Sequence, residues 1–326
     1  MPSLVSALVG SDVSSLVRTA LAALTPGTVA GYCTVLRRFA RFASARGLSA
    51  WPVAPPLAED FLRPLVAAVS RPVHVVSQFC SAVAWLSRLA QVPDSLSGSL
   101  FAEFRRGLVF SSTRAPRKPG RAVRLDSVIA ALAGDPSSLS SEELRVRLVV
   151  SLFVFALARP SDVAGTRRNL VRFEDDGSAT LTLPRSKGDR ARDGQVLRLR
   201  PPTSTDVVNP VALLREWLRR TDDPTLPAAR PLFGVPRSLA VALSSERVSK
   251  LGTAFGRSHG LPPDFHAGQF RCSAATSLLA AGVSPEQVQR LGRWSSLNLM
   301  FKFYDASVFG ASVDVLARTR PQLIAL

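Results

Sequence analysis

The chain has 326 residues, 46% of them hydrophobic, which is enough for one or two packed domains. It contains no run of 18 apolar residues, so no membrane-spanning helix is indicated. Its three cysteines, Cys33, Cys80 and Cys272, lie too far apart in sequence for a disulfide framework or a zinc site and suit a reducing compartment.

The formal net charge is +17, divided as +9 over residues 1–122 and +8 over the remainder. Arginine outnumbers lysine by 37 to 4, a bias that base composition of the coding sequence can explain. That bias does not explain the shortage of acidic residues. A positive surface on both halves favours a polyanionic partner, most simply nucleic acid, and arginine is the better bidentate ligand for phosphate. Charge alone leaves DNA, RNA and an anionic membrane surface open.

The opening "MPSLVSALVGSDVSSLVRTALAAL" is mildly apolar. It lacks a basic start and is broken by Gly10, Ser11 and Asp12, so a secretion signal is not expected. In "TVAGYCTVLRRFARFASARGL", Val29, Tyr32, Val35, Leu36, Phe39 and Phe42 recur at helical spacing, with Arg37, Arg38 and Arg41 on other faces. Gly47 is placed to end that helix. Tyr32, on the apolar face, reads as packing. "LAEDFLRPLVAAV", "VHVVSQFCSAVAWLSRLAQV" and "SGSLFAEFRRGLVF" predict further helices, and no strand alternation precedes residue 170. Residues 1–110 therefore read as a helical, basic domain.

"SSTRAPRKPGRAVRL" combines prolines, glycine and basic residues without an apolar period. It reads as an exposed basic linker over 111–122, in which Arg114, Arg117, Lys118 and Arg121 could lie against a phosphate backbone.

Residues 123–326 form a second, mostly helical domain with a small sheet and a tail helix. "SLFVFALARPSDVAGTR" predicts an apolar helix ending near Arg159-Pro160. Strands are expected over 170–173, 179–183 and 195–199, with Asp176-Gly177 as a hairpin turn. Helices resume in "NPVALLREWLRR", "SSERVSKLGTAFGRSHG" and "QFRCSAATSLLAAG". In "SPEQVQRLGRW", Ser284 as N-cap, Pro285 at N1 and Gln287 predict a capping box.

Several residues of this second domain carry chemical possibilities. Arg159 could cap a helix C-terminus, where a cation is favourable, or clamp a phosphate. Asp162 could orient that arginine or cap the following helix. Lys187, in "RSKGDR", could be an ordinary loop charge. In a chain that uses arginine almost everywhere, a retained lysine suits a proton donor, because a guanidinium does not release its proton. Arg271 opens a helix, where anions are preferred, and a bound phosphate would reverse that penalty. His266 is a lone loop histidine. Trp294 reads as partly core. Tyr304, one of two tyrosines, is flanked by Lys302 and Asp305 and lies beside Phe301 and Phe303, so it could be packing or a nucleophile.

The order and context of these residues resemble the tyrosine recombinases, the phage-integrase-like and Cre-like strand-exchange enzymes. "ALARPSDVAGTR" resembles the first-arginine box, "RSKGDR" the catalytic-lysine hairpin, and "FRCSAATSLLAAGVSPEQVQRLGRWSS" the second-arginine box with the turn after it. The helical first domain is similar to the family's core-binding domain. The resemblance implies a mainly α fold with a small antiparallel β-sheet. It also implies a metal- and ATP-independent reaction without cofactor, double-stranded DNA as partner, a homo-tetramer on two DNA sites, and an intracellular location where DNA is. Residue by residue it implies Tyr304 as nucleophile, Arg159 and Arg271 as phosphate clamps with Trp294 assisting, Lys187 as general acid and His266 as base, with Arg293 a further phosphate contact.

Two departures stand out. Gly268 occupies the position three before Arg271 where the family carries histidine or lysine, and one extra residue separates Trp294 from Tyr304. They keep open a DNA-binding protein of the same fold that has lost its chemistry. An enzyme of the type IB topoisomerase or telomere-resolving kind also remains open. An RNA-binding module is disfavoured, since no aromatic strand platform is present.

Overall fold

The computed structural model describes residues 24, 26–69, 72–111, 122–183, 194–202, 208–235 and 238–301. Two compact units divide the chain, Met1–Arg117 and Lys118–Leu326.

The first unit contains four described helices: α1 (Pro26–Ser44), α2 (Pro55–Ala67), α3 (Pro72–Ala90) and α4 (Ser99–Ser111). Its core is built on three phenylalanines, one from each of the first three helices. Phe39, Phe61 and Phe79 lie with ring centroids 5.1–5.2 Å apart in tilted and edge-on pairs, the geometry that ring quadrupoles favour. The helical period read from the sequence follows from this packing, with Val35, Leu36, Phe39 and Ala43 buried along one face of α1. Tyr32 packs on Trp85. Gly47 takes positive φ three residues past the end of α1, and Leu48 N–H bonds back to Ala43.

The second unit is organised around α6 (Ser141–Phe155), preceded by the short α5 (Asp126–Leu132). A capping box of Ser140 and Glu143 starts α6, and its residues from Leu148 to Phe155 are all buried. A helical stretch buried on every face has to be surrounded. Helices α8 (Pro210–Arg220), α9 (Ser245–Ser258) and α10 (Gly268–Ala280) pack around it. The approach of α9 requires glycine: a Cβ at Gly252 would stand 2.6 Å from the ring of buried Phe153.

The sheet is a three-stranded antiparallel meander of β1 (Val171–Phe173), β2 (Ala179–Leu183) and β3 (Gln195–Leu199). Leu181 pairs with Val171 on one side and with Leu197 on the other. Ala179, Leu181 and Leu183 face the core, the period-2 pattern of a half-buried strand. The turn is set by Gly177 at φ 77° and by the Asp176 carboxylate, which accepts from Ser178 N–H at 3.0 Å. A second hairpin, β4 (Gly234–Val235) with β5 (Ser238–Ala242), has no counterpart in the sequence reading. The unit continues through α7 (Pro160–Gly165), placed between α6 and β1, and through α11 (Pro285–Gly292) and α12 (Leu297–Phe301). The capping box expected at Ser284 and Gln287 is present, with Pro285 at N1. Among the described residues no helix is long and apolar enough to cross a membrane.

Replacement of Gly252 by alanine is expected to destabilise this second unit by about 1–3 kcal/mol, the usual cost of overpacking. Thermal unfolding of the full chain should register it as a lowered melting temperature.

Candidate active site

The site begins where α6 stops. Its helix ends at Phe155, not near Arg159 as the sequence suggested, because the buried Leu157 turns the chain with φ 46°. Arg159 is therefore the N-cap of α7, not a C-terminal cap of the apolar helix, and the favourable dipole interaction considered for it does not exist. The charge that compensates it is Asp162, 1% exposed, whose Oδ2 accepts from the Arg159 backbone N–H at 3.0 Å. Asp162 thus both caps α7 and orients Arg159. The Arg159 guanidinium donates to the Arg293 carbonyl at 3.3 Å, and its Nη1 has no hydrogen-bond partner among the described residues.

Arg271 arrives from the first turn of α10, where its residue is only 6% exposed. Its Nη1 donates to the Leu157 carbonyl at 2.8 Å and its Nη2 to the Gly292 carbonyl. The guanidinium carbon lies 4.0 Å from the Trp294 ring centroid, a cation–π contact. Trp294 in turn lies against Gly292, so closely that a Cβ there would overlap its six-membered ring. The sequence Gly-Arg-Trp is thereby explained: glycine supplies the surface on which tryptophan rests, and tryptophan supports Arg271.

Arg293, between them, for which the resemblance implies a phosphate contact, spends its guanidinium on the protein itself. Its side chain is 7% exposed and turns in, donating to Asp162 Oδ2 at 2.9 Å, Leu157 O at 3.2 Å, and Ala156 O and Leu291 O at 3.3 Å. Burial pushes its guanidinium below its ordinary pKa, and the Asp162 carboxylate opposes that shift. The residue also adopts left-handed backbone, φ 55° and ψ 46°, at the end of α11. That conformation costs a non-glycine residue roughly 1–2 kcal/mol.

His266 stands just before α10, exposed, with its backbone N–H donating to the Gln269 side-chain oxygen at 2.8 Å. Its ring leans over Gly268: a Cβ at 268 would sit 3.1 Å from both Cε1 and Nδ1 of the imidazole. The histidine thus occupies the space beside the position where the resemblance called for one.

Arg159, Arg271, Arg293 and Trp294 accordingly meet on two turns, 156–159 and 291–294, with His266 and Gly268 at the entry of the helix that carries Arg271. Tyr304 and Lys187, with Arg114, Arg117, Lys118 and Arg121, lie outside the described residues. In the first unit, Arg37, Arg38 and Arg41 form an exposed face on α1, a helix without any acidic residue. Gly292 and Leu157 were not singled out from the sequence. Gly292 had a signal, a glycine two residues before a tryptophan, whereas nothing about Leu157 announces its backbone. Among the described residues no cluster of histidine, cysteine or acidic side chains could hold a metal ion.

Residues 124–309 match the phage integrase family. No curated protein matches the chain. Solved structures with the same fold include a lambda integrase dimer bound to a COC′ core site, 14% identical, with TM-score 0.54 over 87% of this chain and 73% of that one. The Tn1549 transposon integrase in complex with transposon right end DNA is 12% identical, with TM-score 0.54 over 93% and 95%. XerH site-specific recombinase bound to palindromic difH substrate, a post-cleavage complex, is 18% identical, with TM-score 0.54 over 84% and 75%.

Replacing Gly292 by alanine is expected to expel Trp294 from its seat and uncover Arg271. The melting temperature should fall, corresponding to about 1–3 kcal/mol, and tryptophan fluorescence should shift to the red as the indole becomes solvated. A protein that melts and fluoresces as the parent would refute the packing role.

Proposed function

The chain belongs to the phage integrase family, and we propose that it is a site-specific DNA recombinase, cleaving and rejoining double-stranded DNA through a covalent 3′-phosphotyrosyl intermediate. The observation that carries this reading is the convergence of Arg159 and Arg271, far apart in sequence, on the same pair of turns. Arg271 bonds Leu157 and Gly292, and Arg159 bonds the next residue, Arg293. Two cations held by fixed carbonyls are preorganised to stabilise charge that develops on non-bridging phosphate oxygens.

In this reading the Tyr304 hydroxyl attacks a phosphodiester phosphorus. A bond forms from the phenolic oxygen to phosphorus and the bond to the 5′ oxygen breaks. The departing oxygen takes a proton from the Lys187 ammonium, and the phenolic proton passes to the His266 imidazole. Arg159, Arg271 and the Trp294 indole N–H hold the pentavalent phosphorus. The exchanged strand's 5′ hydroxyl then attacks the phosphotyrosine and the reaction runs in reverse. Because the phosphodiester bond energy stays in the intermediate, neither ATP nor a metal is called for.

The first unit and the linker are proposed to bind the DNA as well. Arg37, Arg38 and Arg41 of α1, with Arg114, Arg117, Lys118 and Arg121, would meet the phosphate backbone. Strand exchange between two sites would require a homo-tetramer, working inside the cell where DNA is. A DNA-binding protein that has lost cleavage remains the second reading, and Gly268 is its support. The imidazole beside Gly268 favours retained chemistry.

The test uses DNA flanking the chain's own gene, nicked near candidate sites to trap the intermediate. A detergent-resistant adduct is expected, mapping to Tyr304 by mass spectrometry. Tyr304→Phe should abolish the adduct and leave DNA affinity unchanged; cleavage by that variant would sink the assignment. Lys187→Ala should slow cleavage of an ordinary 5′ oxygen but spare a 5′-thio leaving group, which departs without a proton. Equal slowing of both substrates would remove Lys187 from the role of acid.

A further inference from the structure

We infer that Arg293 is a positioning residue for strand cleavage. It pins the turn that carries Arg159 to the turn that supports Arg271, and so sets the distance between the two phosphate-binding arginines. The inference rests on the recombinase reading above.

Backbone strain is the first observation. Among the described residues three non-glycine residues have positive φ: Gln91, Leu157 and Arg293. Two of the three are joined here, since Arg293 Nη2 donates to the carbonyl of Leu157. Left-handed residues of this kind persist only where their surroundings over-determine them, and they collect at functional sites. A helix ending in this conformation ordinarily takes glycine. An arginine in that place needs a reason, and the guanidinium supplies it.

The second observation is what the guanidinium bonds. Its acceptors are Ala156 O, Leu157 O and Asp162 Oδ2 on the first-arginine side, and Leu291 O on its own side. A lysine ammonium lacks the planar fork needed to meet acceptors spread this way. Each of the proposed phosphate ligands then depends on an atom that Arg293 places. Arg159 donates to the Arg293 carbonyl, and Arg271 shares the Leu157 carbonyl with the Arg293 side chain. Asp162 completes the link, one of its oxygens, Oδ2, accepting from both the Arg159 backbone and the Arg293 side chain.

Two variants of the full chain test the claim. Arg293→Gly removes the fork while relaxing the left-handed backbone; Asp162→Asn keeps the shape and removes the charge. Adduct formation on the nicked DNA is timed at saturating DNA, with ordinary and 5′-thio leaving groups, alongside DNA affinity and melting temperature. Arg293→Gly is expected to slow cleavage roughly a hundredfold, as displacement of clamping groups by about 1 Å does. The slowing should be equal for both leaving groups, with DNA affinity unchanged. Asp162→Asn should slow it in the same manner, and the double variant should be less impaired than the product of the two, as coupled residues are. Wild-type cleavage by Arg293→Gly overturns the inference, as does slowing that vanishes with the thio substrate. Should Arg293→Gly fail to fold, Asp162→Asn decides alone, and its cleaving at the parental rate overturns the inference. Should the parent protein form no adduct, the recombinase reading fails on its own. Binding of inorganic orthovanadate then decides: weaker binding to the variants supports positioning, and equal affinity overturns it.

Discussion

The carbonyl of Leu157 is the point on which the site turns. It accepts from Arg271 of α10 and from Arg293 past the end of α11, so three chain segments converge on one oxygen. The oxygen is available because α6 stops at Phe155 and Leu157 leaves helical backbone. A carbonyl with two lone pairs can take two donors, and two cationic donors bonded to one oxygen are held close despite their mutual repulsion. The cost of that closeness is moderated by Asp162 and by the Gly292 carbonyl.

How much of this the sequence disclosed can be judged residue by residue. Strands β2 and β3 and the Ser284 capping box follow from local rules, alternation and side-chain capping, and the structure has them at the expected residues. The first helix of the first unit was legible because its stripe packs on a core within its own unit. The end of α6 was not, because its last two turns are buried on every side and offer no face whose change of exposure marks a stop, and Pro160 marks the start of the next helix. The β4–β5 hairpin escaped because β5 is exposed along most of its length and shows no apolar alternation. The buried role of Arg293 has no local signal either. Arginines are mostly exposed unless paired, and its partner Asp162 stands on a different helix, far off in sequence. Tertiary pairing of that kind has no local signature.

Gly268 shows how a departure from a family pattern can be read in two ways until the neighbours are known. In isolation, glycine at a position expected to hold an imidazole is evidence of lost chemistry. With the fold in hand, the ring of His266 lies against the hydrogen side of that glycine, within a distance at which any Cβ would force the ring to give way. Glycine there lets the imidazole lie close without having to shift. A glycine at this offset is therefore not by itself a sign of lost chemistry, since an imidazole stands beside it.

The separation of duties between arginine and lysine follows the same logic of what each group can do. Arg271 and Arg293 each make two or more directed bonds to carbonyl or carboxylate oxygens, and Arg159 makes one, a task for a planar fork of donors that stays charged when buried. Even Arg293, whose burial works against its charge, keeps a carboxylate at 2.9 Å. None of the three is suited to give up a proton. A site built on arginines alone could bind a phosphate and hold its developing charge, yet would leave the departing oxygen unprotonated. The chemistry proposed here therefore needs one cation of the other kind. In a chain whose composition favours arginine by 37 to 4, a lysine in the β2–β3 connection is where that need would be met.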